Sequence, residues 1–296
     1  MRPLFFRRDF LQAALSLALL PRIGGNRAFG AGAEFPVKQK GADQAMAKDI
    51  VMLHGANAGG WCFDEFRKVF EELGWTCHTP DLIGHGKDKA SAATSLVGIG
   101  IADYRSEMEA LLKTLAAPPV LLGHSMGAVI AQQLAAQGLA RTLILASPAP
   151  RSGILPATDG EKKLDQDLMT LGAFWTKVID PIFDLARIYT LNRLPAAEQR
   201  PVFDKFGPES GRALFELFFW IFDQTRATAV DTDSVRCPVL CLSGTNDRIV
   251  SLATARETAA AFRGVTFWEL EGHGHMLLLE PGADDIAQRI AAWIPG

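Results

Sequence analysis

Short apolar runs alternate with longer amphipathic stretches along most of the chain. The apolar runs have the length of buried strands and lie at 49–53, 75–79, 119–122, 142–146, 238–242 and 265–270. Stretches with helical spacing of apolar residues lie between most of them, at about 63–73, 101–115, 126–137, 252–262 and 284–293. The alternation predicts an α/β fold in which about six mostly parallel strands are flanked by helices.

The alternation is interrupted once, between residues 151 and 235. This stretch has helical spacing, several prolines and no strand-like run, so we expect a helical lid inserted into the core. We call residues 151–235 the lid segment, and the predicted core is then 34–150 together with 236–296. The lid segment holds 11 of the 26 aromatic residues of the chain. They are candidates either for the lining of an apolar pocket or for the lid's own core.

Some of these aromatic residues stand out as candidates for contact with a substrate. The set combines one residue of the core with five of the lid segment: Trp61, Phe174, Trp175, Phe218, Phe219 and Trp220.

The first 33 residues have the pattern of an export signal. Arg7-Arg8 precede Asp9-Phe10-Leu11, an apolar run ends near Leu20, and Ala31-Gly32-Ala33 fits a cleavage site. The run is too short to span a bilayer as a helix. The arginine pair resembles a twin-arginine signal, although Phe6 and Gln12 depart from the usual pattern. We therefore expect a periplasmic or secreted protein, exported by the twin-arginine machinery and without stable membrane insertion after cleavage. An uncleaved amphipathic or membrane-anchoring N-terminus is the alternative.

Charge and cysteine content exclude some classes of protein. Segment 1–33 carries five arginines and one aspartate, so its removal changes the net charge from −3 to −7. An acidic chain is not expected to bind nucleic acid. Four cysteines do not make a disulfide scaffold. A bridge between Cys62 and Cys77 and buried free thiols both remain open at this point.

The strongest chemical signal is the sequence Gly123-His124-Ser125-Met126-Gly127. This G-x-S-x-G motif follows an apolar strand and precedes a helix-spaced run, which is the context the motif requires. A sharp turn there exposes the hydroxyl of Ser125, so Ser125 is the candidate nucleophile.

A serine nucleophile needs a base, and the base needs an orienting acid. His275 follows the last strand-like run and is the predicted base, with His273 as the competing choice. Asp247 follows the preceding strand and is the predicted acid, although a turn aspartate also commonly accepts backbone N–H groups. A metal site at His273-x-His275 lacks an evident third ligand, so no metal is expected.

Two backbone N–H groups are candidates to stabilise an oxyanion. Ala56 lies in the glycine-rich loop after the first core strand, and Met126 follows the serine. His54 is expected to fix this loop by hydrogen bonds. A phosphate-binding loop is disfavoured because neither of its usual glycine patterns is present.

Taken together, these motifs resemble the α/β-hydrolase fold superfamily, in its cofactor-free serine-hydrolase branch. The residues that carry the resemblance are His54-Gly55-Ala56, Asp81-Leu82-Ile83-Gly84-His85-Gly86, Gly123–Gly127, Gly244-Thr245-Asn246-Asp247, and Gly274-His275 with Glu280-Pro281. The stretch from His54 to Trp61 looks like the carboxylesterase and hydroxynitrile-lyase-like group. Only about 14 residues precede the first core strand after the predicted cleavage site, so the usual antiparallel opening strands are expected to be missing.

The resemblance implies a serine esterase that cleaves small to medium apolar carboxylic esters and uses no cofactor. A lactonase, a hydroxynitrile lyase or a perhydrolase using the same site remains an alternative. A non-catalytic ligand receptor on this fold is the alternative of another class. Homo-oligomerisation is left open.

Overall fold

Six parallel strands form the central sheet of the protein. The computed structural model describes residues 48–86 and 88–295, so the predicted export signal lies outside the described residues. In sequence order the sheet strands are β1 (Asp49–Leu53), β2 (Thr76–His78), β3 (Val120–His124), β4 (Thr142–Ala146), β7 (Val239–Gly244) and β8 (Thr266–Leu270). Their spatial order is β2-β1-β3-β4-β7-β8, and every pairing is parallel. The predicted sheet is confirmed.

Burial follows the position of each strand in the sheet. All residues of β3, β4 and β7 are buried, whereas β2 and β8, at the two edges, are largely half-exposed. The central strands therefore read as continuous apolar runs, as expected for a parallel sheet covered on both faces.

Helices cover both faces of the sheet. The flanking helices are α1 (Asp64–Glu72), α2 (Lys89–Ser95), α3 (Ile101–Leu112), α4 (Met126–Ala136), α9 (Leu252–Ala260) and α10 (Ala283–Trp293). One apolar cluster joins the sheet to α1 and α10 through residues such as Phe66 and Ile290. The other joins it to α3 and α4 through residues such as Tyr104 and Val129. The pattern did not predict α2, because its short sequence is mostly small and polar.

The lid segment leaves the sheet after β4 and returns before β7. It contains α5 (Asp159–Met169), β5 (Val178–Ile179), α6 (Phe183–Tyr189), α7 (Ala196–Phe203), β6 (Glu209–Ser210) and α8 (Gly211–Phe218). Strands β5 and β6 pair antiparallel and are only two residues long. No strand-like run was expected in this segment, and two-residue strands are too short to produce a periodic pattern.

Three buried glutamates of the lid segment bond to the core. Glu161 accepts from the backbone N–H of Ser251 at 2.8 Å, just before α9. Glu209 accepts from the N–H of Asn57 at 3.3 Å, in the loop after β1. Glu216 accepts from the N–H of Ile101 at 2.7 Å, at the start of α3. These carboxylates anchor the lid segment above the carboxyl ends of the strands.

The order of the strands also indicates where a ligand binds. From β1 the chain first builds one side of the sheet through β2 and then the other through β3. Ligands of open parallel sheets bind where the strand order reverses in this way, outside the carboxyl ends of the strands. Here the reversal falls between β1 and β3. Among residues 48–86 and 88–295, no helix is both long and apolar enough to cross a membrane.

Candidate active site

Ser125 lies in the sharp turn between β3 and α4. Its backbone has φ 50° and ψ −118°, a strained conformation for a residue with a side chain. A Cβ atom on Gly123 would overlap the carbonyl oxygen of Gly127, and one on Gly127 would overlap that of Leu53. Glycine at both positions therefore permits the turn. The Ser125 N–H donates to the carbonyl of Ala146 at 3.1 Å, which ties the turn to the neighbouring strand.

His275 and Asp247 form a hydrogen-bonded pair at the ends of β8 and β7. His275 Nδ1 lies 2.9 Å from Asp247 Oδ2, and both side chains are buried. The other carboxylate oxygen, Oδ1, accepts from the N–H groups of Ile249 and Val250, each at 2.9 Å. An ionised carboxylate only accepts hydrogen bonds, so Nδ1 of His275 carries the proton and Nε2 is left as the basic nitrogen.

His273 belongs to a different group of side chains. Its Nδ1 lies 3.1 Å from Glu280 Oε2, and the same oxygen accepts from the Gly274 N–H at 2.8 Å. Glu280 thereby fixes the backbone just before His275. The competing base thus pairs with Glu280, whereas His275 pairs with the predicted acid. In the described part of the chain, no group of three or more His, Cys, Asp or Glu side chains is placed to hold a metal ion.

His124, beside the candidate nucleophile, contacts the backbone of His275. Its Nε2–H donates to the carbonyl oxygen of His275 at 2.9 Å. Burial, and then the nearby ring of His275, lower the pKa of His124 to about 3. His124 is therefore neutral at ordinary pH. The motif predicted only the turn at this position and gave no sign of this contact.

The loop after β1 packs directly against Ser125. A Cβ atom on Gly55 would come within 2.8 Å of Ser125 Cβ, so a larger residue would push the loop away. His54 Nδ1–H donates to the Gly55 carbonyl at 2.9 Å, and His54 Nε2 accepts from the Leu82 N–H at 3.0 Å. Burial, and then the charge of His85, lower the pKa of His54 to about 4. The prediction that His54 fixes this loop agrees with these contacts.

The hydrogen bond of His54 orients the N–H of Ala56. The Gly55 carbonyl and the Ala56 N–H belong to one planar trans peptide, so they point in opposite directions. Holding the carbonyl therefore sets the direction of the N–H. Met126 is the first residue of α4, and its N–H is among the helix N–H groups that lack a partner within the helix. Of the two predicted oxyanion donors, Met126 follows Ser125 in the sequence, and Ala56 lines the same cavity as Ser125.

A buried ion pair lies behind this loop. His85 Nε2 lies 3.1 Å from Glu209 Oε2, and His85 Nδ1 lies 3.2 Å from the Ile83 carbonyl. Burial alone would lower the pKa of His85, but the charge and hydrogen bond of Glu209 outweigh it and raise the pKa. Burial would likewise raise the pKa of Glu209, but His85 and the other donors lower it. Each partner of the pair thus favours the charged form of the other. In the sequence, His85 stands out only as part of the family pattern, and no motif marks Glu209.

Ser125 and His275 border one cavity of about 170 Å³ beneath the lid segment. Gly55, Ala56 and His124 also line it on the core side. The opposite wall comes from the lid segment and is mostly apolar, with residues that include Leu164, Leu168, Ile179, Ile182, Leu185 and Phe206. Asp180, Tyr189 and Thr190 also line it. Most of the residues of this wall are aliphatic. In the sequence, aliphatic lining residues look like ordinary core residues. The concentration of aromatic residues therefore gives no sign of them.

The six predicted pocket aromatics occupy different places. Phe218 lines the cavity, and Trp220 borders a smaller neighbouring recess together with Phe218. Phe174, Trp175 and Phe219 form a cluster with Phe215, at ring-centroid distances of 5.3 to 6.4 Å. Trp61 packs on Phe206, with the ring centroids 5.9 Å apart. The lining of the cavity includes none of Trp61, Phe174, Trp175 and Phe219.

The four cysteines are all free thiols in the structure. Cys62 and Cys241 are buried, and burial raises the pKa of both. Of the two arrangements left open by the sequence for Cys62 and Cys77, the structure has the unbridged one.

Comparisons with known proteins give relatives of several kinds. A pyrethroid hydrolase from Sphingobium wenxiniae is 29% identical over 113 residues, which is 37% of this chain and only 39% of the relative. The magnesium-chelatase 30 kDa subunit of Rhodobacter capsulatus is 26% identical over 271 residues, covering 83% of this chain and 87% of that protein. An extracellular α/β-hydrolase from a Paenibacillus species has a solved structure with a TM-score of 0.64. It is 21% identical, with 82% of this chain and 98% of that chain covered, so this likeness shows the fold alone.

Family membership follows from a match over most of the chain. The profile of the alpha/beta hydrolase family matches residues 50–289, from β1 into α10. The match includes both the sheet and the lid segment, and the predicted fold class is confirmed. The chain belongs to the alpha/beta hydrolase family.

Proposed function

We propose that this protein is a serine hydrolase that cleaves carboxylic esters of small to medium apolar compounds. The observation that carries the proposal is that Ser125, in its strained turn, and His275, which is hydrogen-bonded to Asp247, line the same cavity. A serine hydroxyl is a weak nucleophile unless a neighbouring base accepts its proton. Nε2 of His275 is the nitrogen left basic by the bond of Nδ1 to Asp247.

In the first half-reaction Ser125 Oγ attacks the carbonyl carbon of the ester while His275 Nε2 takes the hydroxyl proton. The carbonyl oxygen becomes an oxyanion that accepts hydrogen bonds from the N–H groups of Ala56 and Met126. Asp247 stabilises the resulting imidazolium. When the tetrahedral intermediate collapses, the ester C–O bond breaks and His275 gives its proton to the departing alcohol. The acyl group stays on Ser125.

In the second half-reaction a water molecule attacks the acyl carbon and gives a proton to His275. The same two N–H groups stabilise the second oxyanion. The bond to Ser125 Oγ then breaks, the serine recovers its proton from His275, and the carboxylic acid leaves. Every proton transfer in this scheme uses residues of the chain itself.

The cavity favours apolar substrates of limited size. Its lid-side wall is built mainly from leucine and isoleucine side chains, and a volume of about 170 Å³ is small. Binding such a substrate gains free energy from burial of its apolar surface. Similarity to a protein named as a pyrethroid hydrolase supports an apolar ester as the substrate class.

Labelling with a fluorophosphonate tests the proposed nucleophile. The wild-type protein should react and Ser125→Ala should not, because the reagent attaches to an activated serine. Ser152→Ala is the matched control, since Ser152 lies in the lid segment and should leave labelling unchanged. Failure of the wild-type protein both to label and to turn over any ester would exclude the hydrolase.

A series of p-nitrophenyl esters of increasing chain length then tests the substrate class. We expect turnover to be highest for short and medium acyl chains and to fall for long ones. Labelling without turnover of any ester would instead favour a lyase or a ligand receptor, and faster turnover of lactones than of esters would favour a lactonase.

We also propose that segment 1–33 directs export through the twin-arginine machinery. The arginine pair, the short apolar run and the Ala31-Gly32-Ala33 site support this. Changing Arg7 and Arg8 together to lysine should keep the protein in the cytoplasm. N-terminal sequencing of the exported protein should begin at Glu34. Export that is unaffected by the double substitution would contradict the proposal.

A further inference from the structure

The loop that carries the oxyanion donor is held by the lid segment at the next residue. The Asn57 N–H donates to Glu209 Oε2 at 3.3 Å. Its side-chain amide donates to the Gly207 carbonyl at 2.9 Å, and its own carbonyl accepts from the Gly207 N–H at 2.9 Å. Asn57 has φ 61°, in the left-handed region that asparagine adopts more readily than most residues. Three hydrogen bonds to residues 207–209 hold it there.

Glu209 is surrounded by hydrogen-bond donors. Oε2 faces His85 Nε2 as well as Asn57, and Oε1 accepts from Tyr104 Oη at 2.6 Å and from the Ser210 N–H at 2.7 Å. The side chain is completely buried. Four donors around one buried side chain suit only a carboxylate, because an ionised carboxylate accepts at both oxygens and donates at neither.

We propose that Glu209 is a positioning residue for ester hydrolysis, which acts from the lid segment by fixing the oxyanion loop through Asn57. The inference rests on the proposed function. Ala56 lies between two fixed points: His54 holds the Gly55 carbonyl on one side, and Glu209 with Gly207 holds Asn57 on the other. Glu209 does not touch the substrate. Together with His54, it fixes the position of the Ala56 N–H when negative charge develops on the ester oxygen.

This arrangement makes the oxyanion hole depend on the docked lid segment. Glu209 belongs to β6, which pairs with β5, and Ile179 of β5 lines the cavity. A lid segment that moves away would remove the acceptor of the Asn57 N–H and the partners of its side chain at the same time. The oxyanion hole is therefore complete only when the cavity is covered.

The substitution Glu209→Gln isolates the contact with Asn57. The glutamine oxygen still accepts from Tyr104 and Ser210, and its NH₂ group then occupies the place of Oε2. His85 can lose its proton and accept from that NH₂ group, so His85 keeps a partner. The Asn57 N–H cannot change its role and is left facing another donor. The loop should shift away from this contact.

Glu216→Gln is the matched control. Glu216 is also a buried glutamate of the lid segment that accepts a backbone N–H of the core, from Ile101 at 2.7 Å. Its hydrogen-bond partners, Ile101 at the start of α3 and Arg212 of the lid segment, lie outside the loop after β1. Both variants should lose stability, but only Glu209→Gln should affect the oxyanion loop.

We expect Glu209→Gln to lower kcat for p-nitrophenyl esters by about 10- to 100-fold with KM changed less than about threefold, as for a small displacement of a transition-state donor. Glu216→Gln should keep kcat within about twofold. Equal loss of kcat in the two variants, or an unchanged kcat in Glu209→Gln, would show that Glu209 serves stability alone and would overturn the inference.

Amide hydrogen exchange separates this inference from the proposed function, since it requires no activity. In Glu209→Gln the peptide covering residues 54–58 should exchange faster than in the wild-type protein and in Glu216→Gln. Unchanged exchange in that peptide overturns the positioning role even if the wild-type protein is an active esterase. Faster exchange in a protein that neither labels nor hydrolyses esters would contradict the proposed function and leave the contact to Asn57 established.

Discussion

The ring of His124 donates from Nε2 to the carbonyl oxygen of His275 at 2.9 Å. The residue before the candidate nucleophile thus holds the backbone of the candidate base, across 151 positions of sequence. This hydrogen bond joins the two loops that would act together in the proposed reaction. Its effect can be measured apart from the side-chain chemistry of His275.

Replacement of His124 by phenylalanine should impair both stability and catalysis. The ring shape remains, but the buried carbonyl of His275 loses its donor. We expect the free energy of unfolding to fall by about 1–3 kcal/mol and kcat to fall by about tenfold through displacement of the base. Urea unfolding and steady-state kinetics measure the two effects. His78→Phe, at the edge strand β2, is the control and should leave kcat unchanged; equal kinetics in the two variants would refute the positioning by His124.

Asp247→Asn should leave the loop in place and move the ring proton of His275 from Nδ1 to Nε2. The asparagine oxygen can still accept from Ile249 and Val250, so its NH₂ group faces His275 Nδ1. His275 must then accept at Nδ1 and carry its proton on Nε2, where it no longer acts as a base. We expect kcat to fall by about 10³- to 10⁴-fold.

Steady-state kinetics and fluorophosphonate labelling rates check the effect of Asp247→Asn. The control is Asp88→Asn, because Asp88 also accepts two backbone N–H groups, at the start of α2, but lies outside the cavity. The control should retain full activity. Less than a tenfold loss of kcat in Asp247→Asn would mean that another residue orients the base.

Two lid phenylalanines should respond differently to truncation. Phe218→Ala enlarges the cavity that Phe218 lines, so the preferred acyl chain should lengthen by about one to three carbons at a small cost in stability. Phe174 is fully buried in the aromatic cluster, so Phe174→Ala should lower the free energy of unfolding by about 3–5 kcal/mol without changing the preferred chain length. The ester series and urea unfolding measure the two effects. A chain-length shift in Phe174→Ala alone would reverse the assignment.

The two buried histidines, His54 and His124, should each contribute a loss of stability on acidification from about pH 6.5 towards pH 4. Burial lowers the pKa of His54 to about 4 and that of His124 to about 3, so below pH 6.5 the unfolded chain binds protons that the folded protein does not. The His54 shift alone corresponds to about 2–3 kcal/mol at pH 4.5. Glu209 has a lowered pKa and adds a further loss as the pH falls below 4.5 and through that lowered value.

The contribution of His85 to stability has the opposite pH dependence. Because its pKa is raised, its contribution is complete below pH 6.5 and is lost as the pH rises through the raised value. Urea unfolding at pH 7, 5.5 and 4.5 tests these signs together. His124→Phe should show a shallower acid decline than the wild-type protein, since one buried neutral histidine is gone. An acid dependence in His124→Phe identical to that of the wild-type protein would contradict the neutral state assigned to His124.

The strands and the strand-end motifs could be predicted because their signals are local. Each of β1, β3, β4 and β7 is a continuous apolar run, and burial on both faces is the reason for that run. The candidates Ser125, Asp247 and His275 could be predicted because each follows a strand, and the carboxyl ends of parallel strands lie at the same edge of the sheet. Helix α2 and the strands β5 and β6 could not be predicted, because they are too short or too polar to show a periodic pattern of apolar residues.

The cavity lining could be predicted only in part. Aromatic residues are concentrated in the lid segment, yet of the six candidates only Phe218 lines the cavity at Ser125, while Phe174 is fully buried in the aromatic cluster. The walls are mostly aliphatic, and a leucine in a wall has the same sequence pattern as a leucine in a core. Which side of a lid helix faces the cavity is decided by how that helix docks.

The sequence by itself therefore predicted the succession of strands and helices along the chain, the sharp turn at Ser125 and the loops that hold the candidate acid, base and oxyanion donors, because each depends on neighbouring residues. Only the tertiary structure decided that Glu209 meets His85, Tyr104 and Asn57, which are 124, 105 and 152 positions away. A glutamate in a lid segment carries no local sign of its partners. The buried carboxylate of Glu209 is stabilised because folding surrounds it with hydrogen-bond donors from distant parts of the chain.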